Sequence, residues 1–323
     1  AIVERVDSCE QVRFMNSGTE ATSTAVRLAR GYTGRDRVVI FHGNFHGATD
    51  ALLAAGGSGV ATLGLPGTAG VPEGAVAETM VVPYNEVPRL DESVACVIME
   101  PVAANMGVVA PVPGFLEGLR VECDRVGAVL VFDEVITGFR LARGGATAWY
   151  GVQPDVWAFG KVIGGGLPVG AYGASEALMQ HIAPLGGVYQ AGTLSGNPLA
   201  TAAGLAQLRL LTDDAYATLE ATAIRLQTGL EAAFADAGVP AVVPRVGPLL
   251  GLFFTDTQPT NFDEAQAAAD NGIYPRFFHG MLERGVALAP GAYEALFPSL
   301  AHTDEVIDAT IEAAHATAAD LAD

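Results

Sequence analysis

Short apolar runs alternating with helical periodicity organise the first two thirds of the chain. Residues 11–16 read as a strand running into Ser17-Gly18-Thr19-Glu20, after which Ala21, Ala25, Leu28 and Ala29 recur at helical spacing. A second strand over residues 37–42 ends in His42-Gly43-Asn44-Phe45-His46-Gly47. Residues 94–99 (VACVIM) are apolar at every position, the pattern of a strand covered on both faces. A helix over residues 114–126 leads to a strand over 128–132, which ends against Asp133-Glu134. Val156-Trp157-Ala158-Phe159 is a further apolar strand before Gly160-Lys161, and residues 169–173 form another. Pro198 then opens a long helix with Leu199, Ala203, Leu205 and Leu208 among its apolar positions. Strands and helices alternating in this way predict an α/β architecture built on a mostly parallel sheet.

The texture changes near Thr212. Helical stretches over residues 215–237, 275–284 and 303–321 flank strand-like runs over 241–246 and 249–254, which predicts a smaller α+β unit. The expected division is a large domain over residues 1–211 and a small C-terminal one over 212–323, with no internal repeat. Residues 56–74, rich in Gly, Pro, Ala and Thr, read as either a linker or a mobile lid. Residues 1–6 read as the last turns of a helix without a preceding cap, so the chain is expected to begin inside a domain.

Composition narrows the class. Half of the residues are hydrophobic, 16% are charged, and no apolar run reaches membrane-spanning length. A formal charge of −19 argues against nucleic acid and anionic membrane surfaces as partners, because both would repel it. Cys9, Cys96 and Cys123 are odd in number and lack metal-like spacing, which fits reduced thiols in a cytoplasmic protein. The six histidines show no metal spacing either, and His46 reads as packing within its loop.

Candidate chemistry centres on Lys161, the only lysine in 323 residues, the other sixteen basic side chains being arginine. Arginine meets any need for charge or carboxylate pairing, but it does not lose its proton to attack a carbonyl carbon. A lysine amine can, which points to Schiff-base chemistry. Asp133 stands at a strand end, where open α/β sheets collect ligands. The Ser17-Gly18-Thr19 helix start is either an anion cradle or an ordinary N-cap. Phe45, between glycines after a strand, could lie flat on a planar ligand or simply close the core. A carbonyl-holding lysine, a carboxylate for a ring nitrogen, an anion cradle and flat apolar contacts are together what pyridoxal phosphate requires of a protein.

These residues carry a resemblance. Val131-Phe132-Asp133-Glu134-Val135-Ile136-Thr137-Gly138-Phe139-Arg140, then Pro154-Asp155 and Phe159-Gly160-Lys161 before Gly164-Gly165-Gly166, resemble the class III pyridoxal-phosphate aminotransferase motif. Within that class the chain looks most like the glutamate-1-semialdehyde 2,1-aminomutases, through VRFMNSGTEAT at 12–22, GSGVATLGLP at 57–66, EPVAANMG at 100–107, GTLSGNPLA at 192–200 and AYEALFPSLAHT at 292–303. The resemblance implies fold type I, with helices on both faces of the large domain's sheet. It also implies an N-terminal portion of roughly domain size that this chain lacks.

Roles follow from the resemblance residue by residue. Lys161 would hold the aldehyde of pyridoxal 5′-phosphate and shuttle a proton once freed. Asp133 would pair with the ring nitrogen, Val135 would pack on one ring face, and Phe45 would meet the other, where tyrosine is usual. Ser17, Gly18 and Thr19 would hold the phosphate, with His46 near the ring and Asn105 near the phenolic oxygen. Thr193, following Gly192, would reach the phosphate of a neighbouring subunit, which implies a homodimer. Glu294 would stand by the substrate amine, and residues 56–74 would form a gating loop. Ala104 and Leu296 depart from the usual residues at their positions. The implied reaction is isomerisation of glutamate-1-semialdehyde to 5-aminolevulinate through a diamine, the cofactor cycling with pyridoxamine 5′-phosphate and no metal taking part. The alternatives are a class III aminotransferase of an omega- or beta-amino acid with a keto-acid acceptor, and an inactive fragment that binds cofactor.

Overall fold

Seven strands form one sheet in the computed structural model, which describes residues 1–54 and 68–322. They are β1 (Gln11–Met15), β2 (Arg37–Phe41), β3 (Thr79–Val82), β4 (Val94–Met99), β5 (Val129–Asp133), β6 (Val156–Phe159) and β7 (Gly170–Ala174). Their order in space is β1-β7-β6-β5-β4-β2-β3. β7 runs antiparallel to both of its neighbours, and every other pairing is parallel. The sequence predicted the parallel part; the reversal of β7 is visible only in the pairing. β3 was not anticipated. It is a four-residue edge strand whose Met80 and Val81 are exposed, so it lacks the apolar run that marks its neighbours.

Side-chain alternation with a period of two divides the core into layers. In β4, Cys96 and Ile98 face one side while Val97 and Met99 face the other; in β5 the same split separates Val129 and Val131 from Leu130 and Phe132. On the first side lies helix α1 (Gly18–Thr33), which buries Ala21, Ala25, Leu28 and Ala29 against the strands, its three alanines being small enough to bring the helix close. On the second side α2 (Phe115–Val126) buries Phe115, Leu116, Leu119 and Cys123. Each large apolar side chain so buried is worth about 1.5–3 kcal/mol. Helices therefore cover both faces, as fold type I requires.

Further along run α3 (Gly145–Tyr150), α4 (Pro198–Leu210), α5 (Asp213–Ala237), α6 (Phe262–Ala269), α7 (Ile273–Glu283) and α8 (Asp304–Ala322). Thr212 caps α5 by accepting from the Ala215 N–H at 3.2 Å. Leu226, Leu230 and Phe234 of α5 share a core with Phe277 and Met281 of α7 and Ala314 and Ala318 of α8. The strands expected over 241–246 and 249–254 shrink to the antiparallel pair Arg245–Val246 and Leu249–Leu250. Pro240, Pro244 and Pro248 have no N–H to give to a ladder, which breaks the run.

Residues 1–6 are hydrogen-bonded turns and not helix: the Val6 N–H reaches the Ile2 carbonyl at 3.2 Å, and Ile2 and Val6 are held by burial. Of the expected gating loop, residues 56–67 lie outside the described residues, and Glu73–Val76 is a short helical turn. Among the described residues no helix is long and apolar enough to cross a membrane, and no group of three His, Cys, Asp or Glu could hold a metal ion.

Candidate active site

Strands β1 to β6 point their carboxyl ends the same way, and residues at or just beyond five of those ends line one cavity of about 190 Å³. Gly18 and Thr19 follow β1, Phe45 and His46 follow β2, and Glu100 and Asn105 follow β4. Asp133 is the last residue of β5, with Val135 two positions on, and Lys161 follows β6. A parallel sheet collects loops at this edge, which is where its ligands bind.

One wall is the start of α1. Ser17 is the N-cap: its hydroxyl accepts from the Glu20 N–H at 3.2 Å, while the Glu20 carboxylate accepts from the Asn16 N–H at 2.8 Å. This reciprocal capping satisfies one helix-start donor. The first helical N–H groups, of Gly18 and Thr19, have no acceptor within the helix and stand at the positive end of its dipole. The start is therefore an N-cap whose hydroxyl, having accepted one bond, can still donate one. Thr22 joins the wall to the next loop by donating to the His46 carbonyl at 2.6 Å.

The floor is a buried polar cluster. Asp133 is 4% exposed and His46 1%, and His46 Nδ1 lies 2.8 Å from Asp133 Oδ2. Asp133 Oδ1 accepts from the Val135 N–H at 3.1 Å. His46 Nε2 is buried with no hydrogen-bond partner among the described residues. Beside them Glu100, also buried, accepts from the Phe45 N–H at 2.7 Å and from the Ala104 N–H at 2.9 Å. Burial pushes the Glu100 carboxyl up, and Asp133 pushes it further. The neighbouring Glu134 points away from the cavity, where its carboxylate collects Thr137, Ala146 and Thr147.

Lys161 closes the cavity from the far side. It opens a short 3-10 turn and holds φ at +44°, a left-handed value uncommon for a residue with a Cβ. Gly160 before it and Gly18 of α1 both pack on Val135. A Cβ at Gly160 would come to 3.1 Å from Val135 Cγ1, and one at Gly18 to 3.0 Å. Val135 is thus wedged between the helix start and the lysine turn. The turn is backed by α4, since a Cβ on Gly204 would overlap the Ile163 carbonyl oxygen.

Of the residues picked from sequence, the structure brings Gly18, Thr19, Phe45, His46, Asn105, Asp133, Val135 and Lys161 to this cavity. Ser17 sits just behind it as the cap. Gly192, Thr193 and Glu294 do not line it: Thr193 and Glu294 are exposed, and Gly192 packs near Asn16. Glu294 follows Tyr293, whose carbonyl accepts from the Gly107 N–H at 2.8 Å, so its segment borders the Asn105 loop. Thr22 and Ile136 line the cavity without any signal in the sequence. Glu100 ends the β4 run as Asp133 ends β5, and it both caps two backbone N–H groups and lines the cavity.

A larger cavity of about 270 Å³ lies in the C-terminal core, among Leu226, Phe277 and Met281. Its walls are apolar apart from His302 and Thr310, so it offers no acid paired with a base. Burial holds the thiols of Cys9, Cys96 and Cys123 up at about 12, which removes them as nucleophiles near neutrality.

Residues 1–317 match the family described as aminotransferase class-III. Glutamate-1-semialdehyde 2,1-aminomutase of Desulfosudis oleivorans is 53% identical over 328 residues, covering 99% of this chain and 77% of that protein. The crystal structure of an omega-transaminase from Sphaerobacter thermophilus superposes with a TM-score of 0.91 at 32% identity, over 99% of this chain and 76% of that one. A glutamate-1-semialdehyde-aminomutase from Pseudomonas aeruginosa PAO1, in complex with PMP, superposes with a TM-score of 0.86 at 28% identity, over 99% and 74%. With its one lysine, its strand-end aspartate and a family match over nearly its whole length, the chain belongs to the class III aminotransferases.

Proposed function

We propose that the chain isomerises glutamate-1-semialdehyde to 5-aminolevulinate with pyridoxal 5′-phosphate, cycling with pyridoxamine 5′-phosphate. The observation that carries the reading is that the chain's one lysine opens into the same cavity as a dry aspartate and a helix start. The 53% identity to a named aminomutase supports this substrate over the relatives of lower identity.

The donor set fits the cofactor. Gly18 and Thr19, with the Ser17 hydroxyl, would bind its phosphate through N–H and O–H donors at a positive helix end. Asp133, kept in place by His46 and by the Val135 N–H, would hold the proton on the ring nitrogen. Val135 and Phe45 would close the two ring faces and exclude water, and Asn105 would offer its amide to the ring's phenolic oxygen. Bound pyridoxal phosphate supplies an electron sink for the bond broken at the amine carbon. Lys161 would bind the aldehyde carbon through Nζ and, when released, move the proton at that same nitrogen. Glu294 would orient the substrate amine from the rim.

Leu185, Tyr189, Leu194 and Leu199 are exposed around Thr193, which supports a second copy of the chain covering this surface. Sedimentation of the Leu199→Glu variant tests it: a wild-type dimer that the charge splits is expected, and a wild-type monomer would sink the idea.

The 0.91 superposition on an omega-transaminase supports a second reading, an aminotransferase with an outside keto acceptor. Turnover of glutamate-1-semialdehyde without any added donor or acceptor separates the two. Product is expected under those conditions; product that forms only with a keto acid would replace isomerisation with transamination.

A further inference from the structure

Glu100 is a buried carboxylate in the candidate site to which the reaction outlined above gives no task. Its position is fixed from several sides. Its own N–H donates to Asn44 Oδ1 at 2.8 Å, and the Tyr84 hydroxyl lies 3.2 Å from its carbonyl and 3.1 Å from that of Pro101. One oxygen takes the Phe45 N–H at 2.7 Å from the loop after β2, and the other takes the Ala104 N–H at 2.9 Å from the loop after β4. Phe45 and Asn105, from those two loops, and Glu100 itself all line the cavity.

We propose that Glu100 is a positioning residue: its carboxylate ties the Phe45 loop to the Asn105 loop and so sets the gap in which the cofactor ring is held. Only a carboxylate offers two separate acceptor atoms to two N–H donors, since an amide of the same size presents N–H on one side. The arrangement is costly. Asp133 and His46 face the same buried space from the end of β5 and the loop after β2, with Lys161 across the cavity, and burial beside Asp133 disfavours a second charge there. A tie needed only for folding would be cheaper away from another carboxylate.

The inference rests on the cofactor reading above, and its test compares variants with a wild type that has first been shown to load pyridoxal phosphate on Lys161. A wild type that does not load removes the reading itself. In Glu100→Gln one loop loses its acceptor. The dissociation constant for pyridoxal phosphate is expected to rise about tenfold, the loss of one charge-assisted hydrogen bond. The induced circular dichroism of the bound cofactor should weaken, because the ring is held less firmly, and kcat should fall more than KM rises. Glu100→Asp, too short to span both N–H groups, should do the same. Glu122→Gln, which removes a carboxylate clamp on the Leu90 N–H outside the cavity, should lower Tm and leave affinity and dichroism alone. Folded Glu100→Gln with wild-type affinity and dichroism overturns the proposal. So does failure of both Glu100 variants to fold, which would make the residue part of the scaffold.

Discussion

His46 Nδ1 stands 2.8 Å from Asp133 Oδ2, with both side chains buried, so the loop after β2 and the end of β5 are joined by one dry hydrogen bond. Removing the imidazole leaves Asp133 Oδ2 buried without that partner, and an unsatisfied buried polar group costs about 1–3 kcal/mol. His46→Leu is therefore expected to lower stability by about 1–3 kcal/mol and to weaken cofactor binding, whereas His46→Asn, which keeps a donor, should recover part of both. Urea unfolding and cofactor titration of the two variants check this. Equal stability of His46→Leu and wild type would count against it.

Lys161 trades backbone comfort for chemistry. A residue with a Cβ in the left-handed region costs about 1–2 kcal/mol, and Lys161 holds φ at +44°. Glycine there removes the strain but gives back about 0.5–1 kcal/mol in chain entropy. Lys161→Gly is thus expected to be at least as stable as the wild-type apoprotein, while activity falls by a factor of about 10³ or more. Borohydride reduction in the presence of pyridoxal phosphate should mark the Lys161 peptide of the wild type and nothing in the variant. A marked variant would place the cofactor elsewhere.

The lysine turn has no room behind it. A Cβ on Gly204 would overlap the Ile163 carbonyl oxygen, and backbone cannot swing aside as a side chain does. Gly204→Ala should cost about 1–3 kcal/mol as overpacking and, by pushing the turn away from α4, slow the borohydride-trappable linkage to Lys161. Gly229→Ala, whose Cβ would meet only the Ile311 side chain, supplies the comparison. Equal trapping rates in both variants would detach α4 from the placement of the lysine.

Acid stability has one contribution with a readable sign. Hydrogen bonds from Arg125, then the Leu90 N–H, hold the Glu122 carboxyl down at about 2, below its ordinary 4.5. A group whose folded value is depressed adds stability that is present above the unfolded value and lost as pH falls through the folded one. That contribution should fade between about pH 4.5 and about 2. Glu100 and Glu134, pushed up by burial, act in the opposite sense, so the difference between wild type and Glu122→Gln is the quantity to follow. A difference that stays flat across this window would show that the Arg125 pairing contributes nothing.

Much of the sheet was legible because a strand covered on both faces has no polar positions: residues 94–99, 128–132 and 156–159 could hardly be read otherwise. Lys161 and Asp133 were legible because composition isolated one and a strand end exposed the other. The short exposed edge of β3, the proline-broken run near Arg245 and the reversal of β7 were not. The edge of β3 and the reversal of β7 depend on partner strands outside their own segments, whereas the run near Arg245 is cut short locally, by Pro244 and Pro248.

The sequence by itself determined the chemistry available: one amine able to lose a proton, one strand-end aspartate, and a helix start with free donors. Tertiary structure decided how those groups are held. Whether Ser17 caps or binds, whether Glu100 is a cap or part of the cavity wall, and why His46 is buried all turn on contacts between the loops after β2, β4 and β5. Local propensity carries no information about such contacts, because their energies exist only once the parallel strands have brought separate loops to one edge.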